Sequence, residues 1–133
     1  MRASEIMIAD PIVVAAGATS SEVAALMRIK NISVVPVVDN PKDRRYLGTI
    51  SDRDIVTECV GQGHDPSDCA VQDHARTDTP IVKPETELKG YKVPQDTDHH
   101  VRTTIVVLDG DKRVVGFIPH PEEIQGIEVL HAL

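Results

Sequence analysis

Aromatic side chains are nearly missing from this sequence: Tyr46, Tyr91 and Phe117 are the whole complement, and there is no tryptophan. Proteins that take single-stranded nucleic acid stack its bases on several exposed rings, so that mode is excluded. Basic charge is short as well. Fourteen Lys and Arg stand against 21 Asp and Glu, a net charge of −7, which is the wrong sign for binding a phosphate backbone. A small anion can still be held at a local basic spot. No apolar run approaches the roughly 20 residues a membrane helix needs, so no membrane insertion is expected. The opening MRASEIMIADPIVV has no long apolar run after its Arg2 and reads as neither signal peptide nor anchor. The cytoplasm is the expected location. Cysteine is limited to Cys59 and Cys69, and without an export signal both thiols are expected to be free.

What is present is an ordinary globular composition, 41% hydrophobic and 26% charged over 133 residues, enough for one compact domain built on Val, Ile, Leu, Ala and Met. The first half alternates strand and helix patterns. Pro11-Ile12-Val13-Val14 follows a turn-like Asp10 and predicts a strand start. Thr19-Ser20-Ser21-Glu22 is a capping box, in which Thr19 caps a helix and Glu22 reaches back to the cap N–H. That helix runs to about Lys30 with Val23, Leu26 and Met27 on one stripe, and Asn31 is a plausible stop. Ser33–Asp39 is a β-branched strand whose Pro36 removes a donor, so Pro36 is expected at an edge or a break in pairing. Tyr46–Ile50 is a third strand. Asp52–Val60 is a second helix, expected to bury Ile55, Val56, Cys59 and Val60, with Gly61 and Gly63 ending it.

The chain then repeats itself. Thr79-Pro80-Ile81-Val82 echoes Asp10-Pro11-Ile12-Val13 at an offset of 69, Thr104–Asp109 echoes Val34–Asp39 at 70, and Val115-Gly116-Phe117-Ile118 echoes Leu47-Gly48-Thr49-Ile50 at 68. Three echoes in the same order imply two copies of a β-α-β-β-α unit, residues 1–66 and 67–133. The second copy departs from the first after Thr86, where Gly90 and Pro94 interrupt the expected helix. Proline inside a helix costs about 3 kcal/mol, so Val93–Asp98 is expected to be a loop and the first helix shortened or lost.

A Pro-led strand, a helix, an S-x-x-P-V-V-D strand and a G-x-x-S-D-R-D segment opening a helix, all in tandem, resemble the pair of cystathionine-β-synthase (CBS) domains. The resemblance is specific in residues 4–60 and weak in 85–100. It implies an α/β fold of two pseudo-symmetric repeats packed sheet to sheet, with clefts for AMP, ADP, ATP or S-adenosylmethionine, commonly in homodimers. It implies a stand-alone regulatory module for a partner enzyme or transporter, not an enzyme, and no required cofactor beyond the adenine nucleotide as ligand. It assigns Ser51 and Asp54 to the ribose and the backbone near Ile12 and Val34 to the base. A carboxylate such as Asp54 can accept from two vicinal hydroxyls at once. The turn stands at a helix N-terminus, which favours phosphate. Arg53 is a further phosphate contact if it points inward, and Gly48 permits a close strand approach. The alternative is that Ser51-x-x-Asp54 is a capping box and nothing more, which leaves a structural or interaction dimer without working sites.

In the second copy Pro119 stands where Ser51 does and Glu122 where Asp54 does. A second adenosine site of the same type is therefore not expected. Arg102, His120 and Glu122 are the candidate second site, with His99 and His100 beside them, against the plain alternative of a solvated loop. Cys59, His64, Cys69 and His74 match no familiar zinc-ligand pattern, and no metal site is expected. No nucleotide-cleaving glycine loop, nucleophile elbow or H-E-x-x-H motif is present. Asp52 and Asp54 have no phosphate-grasping lysine beside them.

Overall fold

The computed structural model describes residues 1–94, 104–124 and 126–130. They form two compact units, Ile12–Asp78 and Met1–Pro11 with Thr79–Leu133.

The unit Ile12–Asp78 contains β2 (Val14–Ala15), α2 (Ser20–Lys30), β3 (Val34–Val38), β4 (Tyr46–Ser51) and α3 (Asp52–Asp54); α1 (Ala3–Ile6) and β1 (Ile8–Ala9) lie in the other unit. The sheet order is β2-β3-β4, parallel then antiparallel. The capping box of α2 forms as expected: Glu22 N–H donates to Thr19 Oγ1 at 3.1 Å, and Asn31 ends the helix in the left-handed conformation. Val23 and Met27 are buried against Val14, Val35, Val37, Ile50, Ile55 and Val71, and Leu26 packs at the margin. The strand expected at Pro11 begins instead at Val14, where the register with Val37 starts. Pro36 lies in the central strand, yet no hydrogen bond is lost there. Its partner Thr49 turns both backbone groups to Arg76, at 2.9 and 2.8 Å. Pro36 and Thr49 are thus a non-hydrogen-bonded pair, and the ladder to β2 starts one residue later.

The helical run after β4 differs from the expected single α-helix. α3 passes into a π-helical turn, Ile55–Cys59, then a 3₁₀ turn, Val60–Gln62, ended by left-handed Gly63. Ile55 and Cys59 are buried as expected, but Val56 and Val60 are 60% and 51% exposed. They stand one residue round the helix from the buried pair, and no element of this unit covers them.

The other unit contains α1 (Ala3–Ile6), β1 (Ile8–Ala9), β5 (Ile81–Val82), β6 (Lys92–Pro94), β7 (Ile105–Leu108), β8 (Val114–Ile118) and β9 (Glu128–Leu130). One sheet runs β1-β8-β7-β5, and β6 pairs with β9 in a second. Val82, Leu88, Ile105, Val107, Ile118 and Ala3 form its core. Among the described residues no helix stands between β5 and β7. Lys92–Pro94, part of it expected as loop, is a short strand, with Lys92 paired to Glu128 and Pro94 to Leu130. The rest of the expected loop, residues 95–98, lies outside the described residues.

The repeat is visible in the pairing itself. Val35 pairs with Ile50 and Val37 with Gly48; Ile105 pairs with Ile118 and Val107 with Gly116. Both ladders shift register just after Val37 and Val107. The outer side of the second strand is covered in each unit by the segment that leads into the other copy. Arg76 bridges Thr49, and Ile8 pairs with Phe117 at the equivalent place. The compact units therefore do not follow the sequence division at 66/67. Residues 1–11 belong with the second sheet, and the stretch up to Asp78 belongs with the first.

Candidate functional site

Gly48 makes the first piece of the site possible. A Cβ there would stand 2.5 Å from the carbonyl oxygen of Arg76 and 3.1 Å from the Ala75 side chain. With glycine in place, Ala75–Arg76 lies directly against β4, as the expected close approach requires. The strand then ends at Ser51, where the chain turns into α3.

The turn is a complete capping box. Ser51 Oγ accepts from Asp54 N–H at 3.0 Å, and Asp54 Oδ2 accepts from Ser51 N–H at 3.0 Å. Asp52 N–H donates to Ser33 O at 2.9 Å and ties the turn to the residue before β3. Asp54 is 3% exposed. A carboxylate so far from water needs a partner, and Arg76 supplies it: its Nε–H donates to Asp54 Oδ1 at 2.8 Å. The Arg76 side chain is 27% exposed, so the pair reaches solvent on the arginine side. Each carboxylate oxygen has a second lone-pair direction, and the hydroxyl of Ser51 has its own proton to donate.

Of the residues singled out from the sequence, Val34, Gly48, Ser51 and Asp54 are brought together. Val34 pairs directly with Ser51 across β3 and β4. Arg53 is the middle residue of α3 and is half-exposed. Ile12 lies two residues ahead of β2 and is 42% exposed. Arg76 carries no local sequence signal of this role. It lies 22 residues beyond Asp54 in an irregular stretch, and no local pattern marks it; only its register with Ile8 in the other copy gives a signal.

The corresponding turn of the second copy is built differently. Pro121–Glu123 is a single 3₁₀ turn, and at its N-cap, His120, there is no side-chain cap hydrogen bond. Pro119 has no hydroxyl to accept the cap N–H, and Pro121 has no N–H to offer. His120 is half-buried. Arg102, His99 and His100 lie outside the described residues, as does the side chain of Glu122.

A second group of polar side chains gathers in the same unit. Cys59 and Cys69 are free thiols and buried. Cys69 Sγ lies 3.1 Å from His74 Nε2 and 3.5 Å from His64 Nδ1. The ligand atoms of Cys59, Cys69 and His74 all lie within 4.8 Å of one another. The Cys69 thiol is pushed up to about 11 by its hydrogen bond with Cys59, by burial, and by the charge of Cys59, Asp73 and Asp68. The four residues set aside on their spacing are thus brought to one place.

Residues 3–61 match the CBS domain family. No curated protein matches it. Solved structures do. Hypoxic Response Protein I, solved with two coordinated zinc ions, is 26% identical, with a TM-score of 0.71 over 90% of this chain and 93% of that one. The CBS domain pair of protein MJ0100, in complex with 5′-methylthioadenosine and S-adenosyl-L-methionine, is 18% identical, with a TM-score of 0.66 over 90% of this chain and 89% of that one. A hexameric CBS-CP12 protein from bloom-forming cyanobacteria is 24% identical, with a TM-score of 0.63 over 90% and 66%. The likeness of fold thus extends well beyond residue 61. Among the described residues no helix is long and apolar enough to cross a membrane.

Proposed function

We propose that this chain is a regulatory module that takes one adenosyl ligand (AMP, ADP, ATP or S-adenosylmethionine) at the Ser51–Asp54 turn and passes its occupancy to a partner enzyme or transporter. The observation that carries the reading is the Asp54–Arg76 pair beside the capped turn. It sets an acceptor suited to vicinal hydroxyls 2.8 Å from a cation suited to phosphate. The complex of protein MJ0100 with two adenosyl compounds supports the ligand class. In this reading the ribose takes the remaining lone pairs of Asp54 and the hydroxyl of Ser51, the base lies toward Val34 and Ile12, and Arg76 and Arg53 serve the phosphates. No catalytic step and no required cofactor is part of it.

A second reading rests on a specific observation too. Both carboxylate oxygens of Asp54 already accept from the chain itself, and the residue is 3% exposed. On that reading the turn only caps a helix, and the chain acts as a structural or interaction dimer. Thermal-shift screening separates the two, because a ligand that binds only the folded state raises Tm by mass action. A rise with one of the four compounds supports the first reading. No rise with any of them at millimolar concentration leaves the second.

Assembly as a homodimer belongs to both readings. Val56 and Val60 stand four residues apart with 60% and 51% of their surface exposed, and Ile29 of the neighbouring α2 is 70% exposed. Exposed apolar side chains on two contacting helical segments supply surface for such an assembly. Sedimentation is expected to give a dimer for the parent and a monomer for Val56→Asp. A parent that sediments at 14.5 kDa at high micromolar concentration contradicts the dimer.

A further inference from the structure

The adenosyl reading leaves unused the group of thiols and imidazoles that begins at Cys59, the last residue of the π-helical turn. We propose that Cys59, His64, Cys69 and His74 hold one zinc ion in a closed, tetrahedral Cys₂His₂ site that fixes the irregular stretch between Gly61 and Asp78. The four residues recur at intervals of five along the chain. That spacing corresponds to no single turn of regular structure, so the fold must do the gathering, and each step of it is visible.

Cys59 ends the π-helical turn and is fully buried. Gly63, with φ of 82°, reverses the chain, and His64 N–H donates back to Cys59 O at 3.0 Å. A tight turn comes next, in which Asp68 N–H donates to Asp65 O and Ser67 N–H to Asp65 Oδ1, both at 2.9 Å. Cys69 is then fixed from outside the loop, since its carbonyl accepts from Ser20 N–H at 2.8 Å. The 3₁₀ turn Val71–Asp73 delivers His74, which is half-buried, back to the thiols.

Zinc bonds of about 2.3 Å to sulfur and 2.0–2.1 Å to nitrogen put the ligand atoms of a tetrahedron about 3.3–3.8 Å apart. Cys69 Sγ has two imidazole nitrogens at 3.1 and 3.5 Å, and Cys59 Sγ lies with Cys69 and His74 inside 4.8 Å. Small side-chain movements therefore suffice. The two imidazole rings stand with centroids 5.9 Å apart and approach the same sulfur. Two thiolates balance the ion's charge, and Asp68 and Asp73 lie near enough to Cys69 to add negative potential. Four protein ligands leave no open position, so the site is structural. It adds to the anchoring that buried Val71 gives, because between Gly61 and Asp78 regular structure is confined to three-residue turns.

The test uses the full chain, kept reduced and stripped of metal. Competition against a chromophoric chelator is expected to give one Zn²⁺ per chain. Co²⁺ is expected to give thiolate charge-transfer bands and the intense visible bands of a tetrahedral site. His64 is exposed, so His64→Ala should fold, and it should weaken Zn²⁺ by more than the 10- to 100-fold that losing an outer partner of a ligand costs. Cys69→Ser should remove part of the charge-transfer intensity; if it fails to fold, His64→Ala still decides. A weak octahedral Co²⁺ spectrum, or unchanged Zn²⁺ affinity in His64→Ala, overturns the site. Neither result bears on nucleotide binding.

Discussion

The two copies of the repeat keep the same strand register and differ in the turn that leaves the last strand. At the end of β4 a serine and an aspartate cap each other, and Arg76 neutralises the buried carboxylate. At the end of β8 stand Pro119 and a half-buried His120, and the 3₁₀ turn beyond them has no side-chain cap. At the place equivalent to Arg76 stands Ile8, paired with Phe117. Copying a sheet needs only apolar residues at alternate positions. Copying a polar turn needs particular donors and acceptors in one arrangement, so a few substitutions remove it. The sheets carry the fold, and the capped turn is where the two copies part.

Substitutions at matched positions sharpen that contrast. The largest effect is expected at Arg76. Arg76→Met leaves the Asp54 carboxylate buried without its cation and should cost roughly 3 kcal/mol, near the low end for breaking a buried pair. Ile8→Ala, at the matched place, removes a side chain that is 53% exposed and should cost under about 1 kcal/mol. Urea unfolding measures both, and equal losses would break the comparison.

The next largest contrast lies at the two glycines. Gly48→Ala drives a Cβ to 2.5 Å from a backbone oxygen, which cannot move without shifting Ala75–Arg76. About 1–3 kcal/mol of overpacking is expected. Gly116→Ala meets mainly the side chain of Met7, which is flexible and can turn aside, so its loss should be smaller in the same unfolding experiment. The smallest contrast is the cap alone. Ser51→Ala should cost about 1 kcal/mol, whereas Pro119→Ala should stay within about 0.5 kcal/mol; thermal unfolding resolves the two.

Much of this was legible in the sequence because it is local or periodic. The Thr19–Glu22 and Ser51–Asp54 boxes are set by residues three apart, and the β-branched runs at Val34–Val38 and Ile105–Leu108 mark their strands. The echoes between copies reappear as matching pairs, Val37 with Gly48 and Val107 with Gly116. What was not legible depends on distant chain. Arg76 reaches Asp54 only because Gly48 lets the 75–76 stretch lie against β4. Val56 and Val60 were expected inside because they are apolar, but the π-helical turn gives its buried side to Ile55 and Cys59. The convergence of Cys59, Cys69 and His74 depends on Gly63 and on the Asp65–Asp68 turn. Sequence spacing alone does not show where those turns point.

The reading turns on whether the capped turn binds a ligand, and calorimetry of the parent and of Asp54→Ala tests that most directly. A hydrogen bond to a charged acceptor is worth about 1.5–3 kcal/mol, or roughly 10- to 150-fold in affinity. The parent is expected to bind one adenosyl ligand per chain, and Asp54→Ala, shown by circular dichroism to be folded, to bind it roughly 10- to 150-fold more weakly. A parent that binds none of the four compounds, or a folded Asp54→Ala that binds as tightly as the parent, would contradict the account.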